Sequence, residues 1–166
     1  MSRLVAVSGG FDPLHLGHLQ LFESARSLGD SLTVIVNGDS YVGRKHKLMF
    51  PQQDRVEMIQ RLGCVDDVVL NEREDGDVSD SLRELQPHYF VVGPDYTKCL
   101  QELPEFQICQ ELRISIRCAS ELRKNHSSSL IVQELVKPKW INPPVTTSLV
   151  LERRIDDRVL ITRRPG

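Results

Sequence analysis

Five short apolar runs, each separated from the next by a segment with helical spacing, most constrain the fold of this chain. They are Arg3–Ser8, Leu32–Val36, Val65–Leu70, Tyr89–Val92 and Ile114–Cys118. Continuous apolar strands that alternate with helices are typical of a parallel sheet covered by helices on both faces. The sequence therefore predicts an α/β fold, a doubly wound parallel sheet of five strands.

The character of the sequence changes at Lys137. The segment KPKWINPPV holds three prolines and predicts an extended arm. Beyond it, Thr147–Leu151 and Val159–Thr162 flank the polar stretch ERRIDDR and predict a β-hairpin, which needs a surface to pack on. We expect a domain of residues 1–136 and a C-terminal extension of residues 137–166, made of this arm and hairpin.

Composition excludes several classes of protein. A net charge of -2 creates no global field toward nucleic acid or a membrane surface. No segment reaches the roughly 18 apolar residues of a membrane span, and the N-terminal apolar run is too short for a signal peptide. The four cysteines form no CxxC pair, so zinc is not expected. We expect a cytoplasmic protein with reduced thiols and neither a nucleic-acid nor a membrane partner.

The segment Ser8–Leu21, SGGFDPLHLGHLQL, carries the strongest chemical signal. A strand that ends at a glycine turn and feeds a helix offers unpaired backbone N–H groups and partial positive charge. His15 and His18 lie three residues apart, so they face nearly the same way and add hydrogen-bond donors. A lone histidine would be a cap or a surface group. Two at this spacing, beside Gly9 and Gly10, predict an anion site.

The run GGFDPLHLGH resembles the HxGH signature of the nucleotidyltransferase superfamily, in its cytidylyltransferase-like group. That group includes glycerol-3-phosphate cytidylyltransferases, the adenylyltransferase that makes ADP-heptose, and archaeal-type FAD synthases. The likeness covers about residues 3–136 and implies a Rossmann-like nucleotidyltransferase fold. Other matching segments are RSLGDSLTVIVNGDSYV, CVDDVVL, GPDY and the late Arg123 before SSSLI. One departure is the run RKNHSSS, which lacks the glycine of the Arg-Thr-x-Gly-Ile-Ser-Thr run in cytidylyltransferases proper.

The resemblance implies that an acceptor phosphate attacks the α-phosphorus of an NTP in line and releases pyrophosphate. Such catalysis is mostly positioning and electrostatic stabilisation. We expect transfer of CMP or AMP from CTP or ATP to a small phosphorylated polyol or sugar. The alternatives are an FAD-synthase-like or NMN adenylyltransferase, and a nucleotide-binding module without turnover. The choice of base, the acceptor and homodimerisation stay open.

The same resemblance assigns roles to individual residues. The catalytic set is His15, His18 and Lys45. The nucleotide-binding set is Gly9, Gly10, Phe11, Lys47, Gly93, Asp95, Arg123, Ser127, Ser128 and Ser129. The acceptor-binding set is Asp12, Asp39 and Arg55. No residue is assigned as a metal ligand; Mg²⁺ is expected with the NTP, because it bridges phosphate oxygens and needs few protein ligands.

Several of these residues also have simpler explanations. The run GRKHK, in a loop predicted between Asp39 and Pro51, is equally a solvated basic loop, and we favour Lys45 over Lys47 for function. Arg55 is equally a helix-surface residue. Asp39 caps a turn, Asp-Pro is a common turn dipeptide at Asp12, and the three serines cap a helix.

Overall fold

The structure is a computed structural model that describes residues 2–93, 100–119, 128–136, 149–153 and 159–163. The chain forms two compact units, Met1–Val136 and Lys137–Gly166. Three residues with predicted roles, Asp95, Arg123 and Ser127, lie outside the described residues.

Strands and helices alternate along the first unit. The strands are β1 Leu4–Gly9, β2 Ser31–Asn37, β3 Asp67–Asn71, β4 Tyr89–Val92 and β5 Ser115–Cys118. The helices are α1 Leu16–Arg26, α2 Asp39–Lys45, α3 Gln52–Gln60, α4 Ser79–Leu85, α5 Phe106–Glu111 and α6 Ser128–Val136, with a 3-10 turn at Leu100–Glu102. Among the described residues, no helix combines the length and the apolar character that a membrane span requires.

The five strands form one parallel sheet in the order β3-β2-β1-β4-β5. The chain winds outward from β1 to β3 and then returns to the other side of β1 at β4. This confirms the predicted five-stranded, doubly wound α/β sheet of the Rossmann-like type. The order reverses between β1 and β4, and open α/β sheets bind ligands beyond the carboxyl ends of strands at such a switch point.

Successive side chains of the central strands pack on opposite faces of the sheet. Val7 of β1 belongs to a buried cluster with Phe22 of α1, whereas Ala6 belongs to a second cluster with Leu82 of α4. Since both faces are buried, the strands read as continuous apolar runs.

In the second unit, two strands pair in an antiparallel sheet. These strands are β6 Leu149–Arg153 and β7 Val159–Arg163, with Leu151 opposite Ile161.

The segment after β2 differs from its prediction. The sequence predicts a loop there, but residues Asp39–Lys45 form α2. Val42 is buried in this seven-residue helix, so the apolar pattern is too short to reveal a helical period. The loop prediction is wrong there, and Lys45 lies in the last turn of a helix, where a cation interacts favourably with the helix dipole.

Candidate active site

The glycine turn after β1 is built around the ring of Phe11. A Cβ on Gly9 would lie 2.8 Å from that ring, and a Cβ on Gly10 would lie 2.9 Å from Val42 Cγ2, so both positions need glycine. Phe11 has a left-handed φ of 52° and is 4% exposed. Its ring meets His18 edge-on at a centroid distance of 5.0 Å. The buried Phe11 therefore supports the turn and the histidine.

The two histidines are stacked at the start of α1. His15 is the N-cap, with an extended backbone, and His18 is the third residue of the helix. Their ring centroids are 3.6 Å apart with an interplanar angle of 18°. The His15 backbone N–H donates to Nδ1 of His18 over 3.4 Å. Neutral His18 then carries its proton on Nε2, which makes that nitrogen a hydrogen-bond donor.

Burial lowers the pKa of His18 to about 3, and the charge of neighbouring His15 adds to the shift. His18 is therefore neutral at physiological pH. Neutral His18 still offers its Nε2–H as a donor, and the stacked histidines need not both carry a positive charge. Such a neutral donor suits a site that must bind an anion and then release it.

The lowered pKa of His18 makes stability fall in acid. In the unfolded chain this side chain binds a proton near pH 6.5, but in the folded chain only near pH 3. The unfolded state therefore binds more protons between these values. We expect roughly 2 kcal/mol of folding stability to be lost between pH 7 and pH 5 through His18. His18→Gln should lack this component in urea unfolding at the two pH values. An equal loss in both proteins would contradict the assignment.

Asp12 is buried within the turn, at 1% exposure. Its Oδ2 accepts the Met49 backbone N–H at 2.8 Å, and its Oδ1 accepts the Phe50 backbone N–H at 2.9 Å. Both oxygens thus hold the segment before α3 against the glycine turn. This geometry favours the turn-shaping alternative for Asp12 over contact with an acceptor.

Arg55 lies at the centre of the site and is fully buried. Its Nη1 donates to the carbonyls of Gly10 and Asn37, and its Nε donates to the carbonyl of Phe50. Its Nη2 lies 2.6 Å from Oδ1 of Asp39. The helix-surface alternative for Arg55 is therefore wrong. The guanidinium ties the glycine turn to the end of β2 and the start of α2.

A cleft of about 410 Å³ opens at the carboxyl ends of β1, β2 and β4. It lies at the switch point of the sheet, where the topology predicts a ligand. Four residues with predicted roles line it: Gly9, Gly10, Lys45 and Gly93. Among the described residues, exposed Lys47 does not line it, and neither do His15 and His18, which lie on the far side of the glycine turn at the start of α1.

Tyr41 orients Lys45 at the cleft. The Lys45 Nζ lies 4.2 Å from the centroid of the Tyr41 ring, a cation–π contact. The ring also packs against Gly76, where a Cβ would lie 2.3 Å from it. Tyr41 thus connects α2 to the acidic turn that follows β3.

Gly76→Ala is expected to destabilise the fold by roughly 2 kcal/mol or more. Alanine is strained at the φ of 75° found there, and its Cβ would overlap the Tyr41 ring. Gly63→Ala is the matched control, because a Cβ at that position meets nothing within 4 Å. Urea unfolding of both variants is the measurement, and equal stabilities would contradict this packing.

The start of α6 lies beside the turn that leads to His15. The Ser128 hydroxyl donates to the carbonyl of Pro13 at 3.1 Å. Ser129 follows in the first turn of the helix. Free N–H groups at such a helix start favour a bound phosphate.

Sequence reasoning missed Tyr41, Asp77 and Glu105, all of which line the cleft. The acidic turn that holds Asp77 follows β3 at the same edge of the sheet, which was a usable signal. Glu105 had none, because a glutamate before a short helix is usually exposed, whereas here it is 8% exposed. Its burial raises its pKa, and the charge of Asp77 adds to this.

The chain matches known proteins over most of its length. A family model described as cytidylyltransferase-like matches residues 6–148. The FAD synthase of Methanosarcina acetivorans is 41% identical over 95 residues, 57% of this chain and 61% of that protein. The FAD synthase of Methanohalophilus mahii is 39% identical over 105 residues, 63% of this chain and 72% of that protein. The bifunctional protein HldE of Streptomyces coelicolor is 39% identical over 111 residues, 65% of this chain and 23% of that protein.

Solved structures agree with the fold. The lipopolysaccharide core biosynthesis protein of Thermoplasma volcanium has a TM-score of 0.58 at 27% identity, over 71% of this chain and 94% of that one. The pantoate-beta-alanine ligase of Francisella tularensis has a TM-score of 0.50 at 15% identity, over 70% of this chain and 58% of that one, and shows the fold alone. With its paired histidines, switch-point cleft and family match over residues 6–148, the chain belongs to the cytidylyltransferase-like family.

Proposed function

We propose that this chain is a nucleotidyltransferase that moves AMP from ATP to the phosphate of a small acceptor, and that residues 1–136 form its catalytic domain. The observation that carries the proposal is the stacked pair His15 and His18 beside the glycine turn at the switch point. In this family, that combination is suited to holding the phosphates of a nucleotide.

FMN is the leading acceptor. Two relatives at 39–41% identity are named FAD synthase, and FAD consists of AMP joined to FMN. These relatives favour the FAD-synthase-like alternative over the polyol or sugar acceptor that the sequence analysis put first. The likeness to a lipopolysaccharide core biosynthesis protein keeps a sugar phosphate as the second candidate.

The chemical step joins two phosphates. An oxygen of the acceptor phosphate attacks the α-phosphorus of ATP, and the bond from that phosphorus to the β-bridging oxygen breaks. The leaving group is pyrophosphate, which takes the bonding electrons with it. Negative charge spreads over the transferring group, so donors fixed before the reaction lower the barrier.

Each residue of the site has a separate role in this step. His15 and His18 donate N–H groups to phosphate oxygens, with His18 using Nε2. Lys45 brings a cation to the triphosphate, while the N–H groups of the glycine turn and of the α6 start hold its other oxygens. In this proposal the nucleotide site also includes Lys47, Gly93, Asp95, Arg123 and Ser127–Ser129. Asp12 and Arg55 act indirectly, because they fix the turn.

Mg²⁺ fits this site as a companion of ATP. Among the described residues, no group of three or more His, Cys, Asp or Glu side chains could hold a metal ion. A nucleotide-borne Mg²⁺ needs few protein ligands. When bound, it would neutralise part of the negative charge of the ATP phosphates.

The test is pyrophosphate release with Mg²⁺, with ATP and CTP each paired with FMN, heptose 1-phosphate, glycerol 3-phosphate and NMN. The proposal expects ATP with FMN to give the fastest turnover. Clear nucleotide binding without turnover on any pair would instead favour a nucleotide-binding module.

A further inference from the structure

Two asparagines end the neighbouring strands β2 and β3 at the edge of the sheet where the cleft opens. Asn37 and Asn71 are register partners in the parallel pairing of these strands, and both are buried. A side-chain amide has an acceptor oxygen on one side and a donor nitrogen on the other. Its hydrogen-bond partners therefore fix which way it points.

The backbone after β3 fixes the amide of Asn71. Its Oδ1 accepts the Arg73 backbone N–H at 3.3 Å, and its Nδ2 donates to the Asp77 backbone carbonyl at 3.2 Å. A backbone N–H cannot accept and a carbonyl cannot donate, so only one orientation of this amide satisfies both partners. The same Nδ2 donates to Oδ1 of Asn37 at 2.9 Å. The oxygen of the Asn37 amide thus faces Asn71, and its nitrogen, Nδ2, faces the other way.

The position of Asn37 in β2 directs its side chain toward the cleft. Alternate residues of a strand share a face of the sheet, and Ile35 packs on the same face as Phe90 and Val92. Phe90, Val92 and Asn37 all line the cleft. Among the described residues, no group accepts a hydrogen bond from Asn37 Nδ2, and this nitrogen is not sealed from solvent. A side chain that is only 5% exposed therefore offers its N–H donors to whatever occupies the cleft.

The groups beside this donor favour an anionic ligand. Arg55 Nη1 donates to the carbonyls of both Gly10 and Asn37, so the asparagine lies next to the glycine turn. Lys45 lines the same cleft and brings a cation to it. Phosphate oxygens accept hydrogen bonds and carry negative charge, so they match both groups.

The carboxylates of the cleft each have partners of their own. Asp75 and Asp77 lie 2.7 and 3.6 Å from Nη2 of Arg73. Glu105 accepts the Val78 backbone N–H and feels the charge of Lys45. The donor of Asn37 is therefore left for a ligand.

We propose that Asn37 binds a phosphate oxygen of the ligand in the cleft through Nδ2. This inference rests on the proposed function, and it adds a neutral, fixed donor to the site. Asn37 takes up no proton and breaks no bond; it orients the phosphate for the reaction. ATP and the acceptor both present phosphate oxygens, and the test separates these two sources.

The test compares wild type with Asn37→Asp, Asn37→Ala and Gln60→Glu. Aspartate keeps an acceptor oxygen for Asn71 but replaces the donor by an anion, whereas alanine removes the donor without adding charge. Gln60 is exposed at the end of α3 and does not line the cleft, so Gln60→Glu controls for the added charge. Circular dichroism checks that each variant is folded. Isothermal titration calorimetry then gives the Kd for ATP with Mg²⁺, adenosine, FMN and riboflavin.

Asn37→Ala should raise the Kd for the contacted phosphate ligand about tenfold or more, because a hydrogen bond to a charged group is lost. Asn37→Asp should raise it further, since a carboxylate repels phosphate. Adenosine and riboflavin, which lack phosphate, should bind every variant as they bind wild type, and Gln60→Glu should match wild type throughout. A rise for ATP assigns the contact to the nucleotide, a rise for FMN assigns it to the acceptor, and either supports the inference.

A purely structural role for Asn37 predicts the reverse order of the two variants. Alanine removes the partner of Asn71, whereas aspartate retains it, so Asn37→Asp would then bind more tightly than Asn37→Ala. That order, unchanged Kd values for both ATP and FMN, equal rises for adenosine or riboflavin, or failure of wild type to bind either ATP or FMN would overturn the inference. Binding of ATP or FMN that depends on Asn37, without turnover, would support it and contradict the proposed function alone.

Discussion

Replacing His18 by alanine is expected to lower kcat about 100- to 1000-fold, because a donor fixed in place before the reaction is lost. The geometry gives His18 a defined tautomer, since its Nδ1 accepts the His15 backbone N–H. The Phe11 ring and the stacked His15 ring fix its plane. The remaining Nε2–H therefore needs no reorganisation when charge develops on the transferring phosphate.

His88→Ala is the control for this variant. His88 is exposed and precedes β4, so it lies at the amino-terminal end of the sheet, away from the cleft. The activity of the His88→Ala variant should stay near that of wild type. Both variants should keep a native circular-dichroism spectrum. Near-normal turnover in His18→Ala would remove the catalytic role of this residue.

Arg55→Met is expected to cost about 3 to 5 kcal/mol of folding stability, because it removes a fully buried guanidinium and leaves three backbone carbonyls and half-buried Asp39 without their donor. Arg55 is fully buried and donates to three backbone carbonyls and to Asp39. Methionine fills a similar volume but donates no hydrogen bond. Urea unfolding measures the effect.

The control for this variant is Arg61→Met, at the C-cap of the same helix, α3, that holds Arg55. Arg61 pairs with Glu57 at the surface, where its side chain is 75% exposed. Exposed pairs contribute about 0.2 to 1 kcal/mol, so this variant should remain close to wild type. If Arg55→Met and Arg61→Met lost the same stability, the central position of Arg55 would be contradicted.

The order of strands and helices could be predicted because each strand is buried on both faces. That burial requires apolar side chains at successive positions, which gives a continuous apolar run such as Leu32–Val36. The glycine turn and the paired histidines are equally local, since one short segment holds them all. Local signals of this kind are sufficient to predict the switch-point edge of the sheet.

What could not be predicted depends on contacts between distant residues. Asp12 meets Met49 and Phe50 across 37 and 38 positions, and Arg55 meets Gly10 across 45. Nothing near Arg55 in the sequence distinguishes a buried arginine from a surface one on a short helix. The same applies to Glu105, whose burial arises from packing of α5 and not from its neighbours along the chain.

The central claim, that this site transfers an adenylyl group, is tested most directly with ATP labelled with 32P at the α-phosphorus. The protein is incubated with this ATP, Mg²⁺ and each of the four acceptors in turn, FMN first, and the products are separated by chromatography. The account predicts that the label moves into FAD while unlabelled pyrophosphate is released in equal amount, and that His18→Ala abolishes most of this transfer. Label that stays in ATP, or appears only in free AMP with each of the four acceptors, would contradict it.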